Sequence, residues 1–147
     1  MNHNYSEAFD ELSSKYTSVF DEKNLRNPMY EINPEQFQWF NNAIYLLHAY
    51  ASEPARDEKT LAEASKIIER IYGIFSVWPY EDNKAWTDVH YQSAYYVIWA
   101  LYLGDLIKSP PYTSSGKSVW HERLDEVLKA SPPNVLVTRR FASGRGN

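Results

Sequence analysis

Histidines are the residues of this chain best suited to acid–base or metal chemistry. The four are His3, His48, His90 and His121. None has a second histidine four residues away on a helical face, and no His-Glu-x-x-His motif occurs. His90 with Asp88 and His121 with Glu122 are the candidate pairs for a general base oriented by a carboxylate. A His48–His90 site is a further hypothesis, and ordinary hydrogen bonding at helix edges is the alternative for each. We therefore predict no catalytic residue, metal or cofactor.

A serine-rich segment carries two short patterns that occur in enzymes. Residues 115–118 read Ser-Gly-Lys-Ser, like the end of a phosphate-binding loop, but Pro111 stands where that motif requires another glycine. Ser114 and Lys117 have the Ser-x-x-Lys spacing of some acyl-transfer enzymes, without their companion motifs. A plain loop in which Ser118 caps the next helix explains both patterns.

Carboxylates and cysteines offer no better candidate for catalysis. Adjacent acids occur at Asp10-Glu11, Asp21-Glu22, Asp57-Glu58, Glu81-Asp82 and Asp125-Glu126. Acid–base work by such pairs requires burial that separates their pKa values, whereas these stand at helix ends or on polar faces. The absence of Cys removes disulfides, thiolate zinc sites and cysteine nucleophiles. It also suits a cytoplasmic protein.

The segment between the third and fourth predicted helices is the strongest candidate for partner binding. It reads Trp-Pro-Tyr-Glu-Asp-Asn-Lys-Ala-Trp-Thr-Asp and combines aromatic rings with acids in one surface loop. Trp and Tyr are preferred anchors of protein interfaces. The residues that we expect to contact a partner are Trp78, Tyr80, Glu81, Asp82, Trp86 and Asp88. The alternative is that the two tryptophans fasten helix ends onto the core.

The elements that position these residues are helices. Apolar residues recur every three or four positions, which predicts an all-α bundle of about five helices without a substantial sheet. Their expected ranges are 5–20, 34 to at least 50 with Pro54 in the following connection, about 60–77, about 88–107 and 119–130. Asn33 and Gln36 form a capping box before the second helix. Thr60 and Glu63 form another for the third, which could instead begin near Pro54.

The fourth predicted helix is apolar almost all round, which is typical of a helix buried on most sides. We expect it at the centre of the bundle, with Ala94, Ile98 and Leu101 almost fully buried. Residues 40–51 and 91–102 also align faintly. A duplicated unit would give two αα-hairpins plus an N-terminal helix, although chance similarity between two buried helices also accounts for the match.

Length and charge divide the chain into residues 1–133, a single helical domain, and residues 134–147, a basic tail that we expect to be flexible. The domain has a formal net charge of −7 and the tail one of +3. Nucleic acid is unlikely as a partner except through Arg139, Arg140 and Arg145, because binding requires a clustered basic surface. We expect no bilayer-spanning segment and no secretory signal.

These features favour a non-enzymatic protein-binding module. An acidic helical domain with acidic–aromatic loops suits an intracellular inhibitor of the immunity-protein type, which covers a basic partner protein. No small-molecule ligand is predicted. The alternative function is a small-molecule-binding or hydrolytic site within the helical bundle, with Tyr45, His48, Tyr95 and Trp99 as its lining.

Overall fold

The computed structural model describes residues 4–21, 32–77 and 88–130, without the side chains of residues 75–77 and 88–91. In these ranges it contains helices and no β-strand, and one isolated bridge joins Tyr112 to Ser118. The helices are α1 (Tyr5–Val19), α2 (Pro34–Ala51), α3 (Glu58–Val77), α4 (Asp88–Ile107) and α5 (Trp120–Ala130). The prediction of an all-α bundle of about five helices is confirmed. None of these described helices is long and apolar enough to cross a membrane.

Helix α4 occupies the predicted central position. It packs against α2, α3 and α5, while α1 packs against α2 and α3. Ala94, Ile98 and Leu101 are buried as expected. Helices α2 and α3 touch only slightly, so they do not form the packed hairpin that a duplicated unit would give. The aligned residues Tyr45 and Tyr96 also differ, since the first is exposed and the second buried.

The start of α2 follows its sequence signal closely. The Asn33 side chain accepts a hydrogen bond from the Gln36 backbone N–H at 2.8 Å, and the Gln36 side chain accepts one from the Asn33 N–H at 2.9 Å. This is the predicted capping box, in which two N–H groups at a helix start find partners. Gln36 is buried and also donates to the Val19 carbonyl, which ties α2 to the end of α1.

The predicted start of α3 at a Thr60 capping box is wrong. The helix begins at Glu58, and the Asp57 carboxylate accepts hydrogen bonds from both the backbone N–H and the hydroxyl of Thr60, each at 2.8 Å. Asp57 is an equally good capping residue three positions earlier, so Thr60 lies inside the first turn. These two bonds lower the pKa of the Asp57 carboxyl.

The predicted cap of α5 is also wrong. The helix begins at Trp120, and Ser118 donates its hydroxyl proton to the Asp105 carboxylate at 3.2 Å instead of capping the helix. Trp120 is fully buried beside Gly104, and its indole N–H donates to the Ser109 carbonyl at 3.0 Å. The tertiary contacts of the loop with α4 therefore decide where α5 starts.

Candidate functional site

One face of the central helix is not covered by the other described helices. Tyr102 and Leu106 are exposed, and Tyr95 and Trp99 are partly exposed. Their spacing of three and four residues places them in one stripe along α4. The expectation that a helix without a polar face is buried on most sides therefore holds for the sides facing α2, α3 and α5. The remaining side presents aromatic rings to solvent, as binding surfaces often do.

A groove of about 730 Å³ lies between this stripe and α2, and we call it the aromatic groove. Its lining residues are Asn41, Ile44, Tyr45, His48, Ala49, Tyr95, Tyr96 and Trp99. The α2 residues point outward because the buried side of that helix holds Ala43 and Leu47. Tyr45 lies two residues from each, about 200° round the helix, and is 78% exposed.

The rings of the α4 stripe are arranged edge to face. Tyr95 and Trp99 have centroids 6.2 Å apart with planes at 73°, and Trp99 and Tyr102 have centroids 5.9 Å apart with planes at 83°. Such tilted contacts are favourable because the positive edge of one ring meets the negative face of another. They hold the rings at defined angles, so that the stripe offers preformed surfaces to a ligand.

Tyr96 connects the aromatic groove to the hydrophobic core. Its ring is buried and stacks on Phe40 at 4.6 Å with an interplanar angle of 4°. Its hydroxyl donates to the Asn41 side-chain oxygen at 2.9 Å. This bond leaves the Asn41 amide N–H groups, at the exposed edge of the groove, directed away from Tyr96. The groove therefore has a rigid wall with an amide group at its rim.

The described residues that line the aromatic groove have neutral side chains, apart from the imidazole of His48. Among the described residues that line it there is no Asp, Glu, Lys or Arg. Anionic ligands therefore meet no lysine or arginine of the described lining there. Elsewhere in the described chain arginines lie over aromatic rings: Arg123 is 4.7 Å from the Tyr72 centroid and Arg70 is 5.2 Å from that of Tyr16.

No known protein family, curated protein or solved structure matches this chain. The function has to be inferred from the chemistry of its surfaces.

The residues predicted to contact a partner lie mostly outside the described part of the chain. Trp78, Tyr80, Glu81, Asp82 and Trp86 belong to the segment 78–87, which the structure does not describe. Asp88 is the first residue of α4, and its side chain is likewise outside the description. The proposed role of this segment therefore stays a prediction.

The alternative set of residues does come together. Tyr45, His48, Tyr95 and Trp99 all line the aromatic groove, although they were predicted to line a site inside the bundle. The groove opens on the surface, since Tyr45 is 78% exposed and His48 is also exposed, so these four residues do not enclose a site inside the bundle. The His90 side chain lies outside the described residues, so the pairing of His48 with His90 stays a prediction.

Half of the groove was not anticipated from the sequence. Asn41, Ile44 and Ala49 on α2 and Tyr96 on α4 join the predicted residues. The signal was present in the three- and four-residue spacing of 41, 44, 45 and 48. Recognising that spacing as one wall of a groove requires knowing that α2 packs beside α4, which helical periodicity does not reveal.

A second polar cluster joins the end of α4 to the start of α5. Asp105 accepts from the Ser118 hydroxyl, and its other oxygen is 3.5 Å from Nδ1 of His121. His121 Nε2 is 3.8 Å from Asp125, so this histidine faces two aspartates rather than Glu122, the predicted partner.

This second cluster is not arranged for nucleophilic catalysis. The Ser118 proton faces the Asp105 carboxylate and not the His121 imidazole, whereas an activated serine requires the base to take its proton directly. Among the described residues there is also no group of three or more acidic or imidazole side chains that could hold a metal ion.

Proposed function

We propose that the protein is a non-enzymatic protein-binding module whose binding face includes the aromatic groove. The observation that carries this proposal is that Tyr45 is exposed and Tyr95 and Trp99 are partly exposed on adjacent helices, around one groove. Aromatic side chains dominate the energetics of protein interfaces. Exposing them in water is unfavourable, and a partner surface that covers them would recover that free energy.

The openness of the aromatic groove favours a protein partner over a small molecule. Small-molecule sites bury roughly 70–90% of a drug-sized ligand, with converging polar groups that fix its orientation. Here Tyr45 and His48 are exposed and the polar groups stand at the rim. A protein segment laid along α2 and α4 would contact both walls and also the exposed side chains of Tyr102 and Leu106 beyond them.

Net charge favours a basic partner. Residues 1–133 carry a formal charge of −7, which would speed encounter with a basic surface and oppose encounter with an acidic one. An inhibitor of the immunity-protein type has this combination of negative charge and aromatic anchors. The acidic–aromatic segment from Trp78 to Asp88 remains part of the proposal as a second contact region.

Affinity capture from the source organism, followed by binding measurements on the purified partner, tests the proposed function. We expect Trp99→Ala to raise the dissociation constant about tenfold or more, as loss of an interface anchor does. Leu128→Ala is the matched control, because Leu128 is 41% exposed on α5 and does not line the groove. Equal affinities of these two variants would contradict the assignment of the groove as the binding face.

Association and dissociation rate constants distinguish binding at the aromatic groove from binding at the predicted loop, Trp78 to Asp88. Replacing Glu81 and Asp82 with lysine should slow association, because exposed charges act at long range. The effect should shrink as the salt concentration rises. Trp86→Ala should speed dissociation. If Trp99→Ala alone changes the dissociation rate, the loop is only a connection between helices. If only the loop variants act, the partner binds there instead.

A further inference from the structure

We infer that the aromatic groove receives arginine side chains from a basic segment of the partner. This inference rests on the proposed function and adds to it the chemistry of the group that binds. It commits to one occupant, a protein segment bearing guanidinium groups that lie against the faces of Trp99 and Tyr45.

The first support is the electrostatic character of the exposed rings. Aromatic faces carry negative quadrupole density, and Trp attracts cations most strongly. Among the described residues no Lys or Arg lies over the ring of Trp99 or of Tyr45. No cation of the described chain therefore occupies these two rings, which lie on opposite walls of the aromatic groove.

The second support comes from the chain's own arginines. Arg56, Arg70 and Arg123 each lie over a tyrosine ring, at 5.9, 5.2 and 4.7 Å from the ring centroid. Arg123 also lies 5.1 Å from the Trp120 ring. Each of the three arginines in the described residues thus lies over an aromatic ring, which is the contact that we infer for the rings of the groove.

The third support is the polarity of the lining. Since no carboxylate lines the described groove, a cation there would be held by the aromatic rings. Guanidinium suits this setting better than ammonium, because it is flat, stacks on aromatic faces and is more weakly hydrated. The charge of −7 on residues 1–133 supplies attraction at longer range.

The test uses the full chain and a dye-labelled peptide rich in glycine and serine that carries three spaced arginines. Binding is measured by fluorescence anisotropy against the same peptide with citrulline in place of arginine, which keeps the shape and removes the charge. We expect the citrulline peptide to bind about twofold to thirtyfold more weakly, the range for a cation–π contact between exposed and desolvated settings. Equal affinities would overturn the inference.

Variants show whether the preference for arginine belongs to the groove. Trp99→Ala should bring the two peptide affinities together, whereas Leu128→Ala should leave their ratio unchanged. Should Trp99→Ala fail to fold by circular dichroism, Tyr45→Ala takes its place, because Tyr45 is 78% exposed and its loss leaves the core intact. If the groove variant still prefers the arginine peptide, general electrostatic attraction and not the groove explains the preference. That result would overturn the inference.

Two further measurements test whether something other than a partner occupies the groove. If replacing Arg139, Arg140 and Arg145 with Gln strengthens peptide binding, the chain's own tail competes for the groove and the partner assignment fails. If sedimentation shows self-association that Trp99→Ala abolishes, the occupant is a second copy and the assignment also fails.

Failure of the inference is distinguishable from failure of the proposed function. When the peptides show no arginine preference but Trp99→Ala still weakens binding of the captured partner, the groove is the binding face and only the chemistry of the occupant is wrong. When Trp99→Ala leaves partner binding unchanged, the groove itself is not the face.

Discussion

Gly104 is a residue at which α4 and α5 pack closely. A Cβ atom added there would lie 2.8 Å from two ring atoms of Trp120 and 2.9 Å from the terminal methyl of Ile68. These contacts are too short to persist, and both neighbours are fully buried. We expect Gly104→Ala to lower the free energy of unfolding by about 1–3 kcal/mol through overpacking, measured by urea denaturation.

Gly73 on α3 provides the matched control for that prediction. It is also a helical glycine, and a Cβ atom built on it meets nothing within 4 Å. Gly73→Ala should therefore raise the free energy of unfolding by about 0.5–1 kcal/mol, because alanine loses less backbone entropy in a helix. If both substitutions change the free energy of unfolding in the same direction, the close packing of Gly104 against Trp120 does not decide the effect of Gly104→Ala.

Asp57 at the start of α3 makes stability depend on pH. Its carboxyl pKa is lowered in the folded protein by the backbone and hydroxyl hydrogen bonds from Thr60. The ionised carboxylate therefore contributes stability that is complete above the unfolded pKa of about 4 and is lost as pH falls through the lower folded value. Asp57→Ala should lower the Tm at neutral pH by about 2–5 °C.

Thermal melts across acidic pH check this assignment. The difference in Tm between the native chain and Asp57→Ala should narrow below about pH 4, since protonation removes the charge that the cap uses. Asp57→Asn is the control, because asparagine also caps helices but does not titrate. A difference that stays constant down to acid pH would show that the charge of Asp57 does not contribute.

At the scale of elements, α4 combines a buried side and an exposed side within one apolar sequence. Ile98 belongs to the core and its exposed fraction is 7%, whereas Leu106, two turns further along the helix, is 50% exposed. We expect Ile98→Ala to cost about 2–5 kcal/mol from lost burial and the cavity left behind. Leu106→Ala, the control on the same helix, should cost no more than about 1 kcal/mol in the same denaturant measurements.

The existence and order of the helices could be predicted because each is specified locally. Asn33 and Gln36 lie within one turn, so their capping box is visible in the sequence. One error was local, because Asp57 stands three residues before Thr60 and takes its place as the cap of α3. The other arose where a distant residue competes: Ser118 does not cap α5 because Asp105, from another helix, accepts its hydroxyl proton.

The aromatic groove could be predicted only in part for the same reason. The apolar content of α4 was plain, but which of its sides would remain exposed depended on how three other helices pack around it. Tyr45 and Tyr96 align in sequence, yet one is at the surface and the other in the core. Burial of a given tyrosine is set by helix neighbours that a single sequence does not specify.

At the scale of the whole molecule, charge and aromatic surface have different roles in the proposed interaction. The net charge of residues 1–133 acts over about 8–10 Å in physiological salt and governs how fast a basic partner arrives. The rings of the aromatic groove act at contact and govern how long the partner stays. Raising salt should therefore slow association while leaving the dissociation rate of the native chain nearly unchanged.

The central claim is that the partner covers the aromatic groove, and the indole N–H resonance of Trp99 reports on this most directly. In an NMR titration with the captured partner, this resonance, assigned from its loss in Trp99→Phe, should shift. Those of Trp39 and Trp120 should stay in place, because they are buried and bonded to the carbonyls of Leu12 and Ser109. An unmoved Trp99 resonance in a saturated complex would contradict the account.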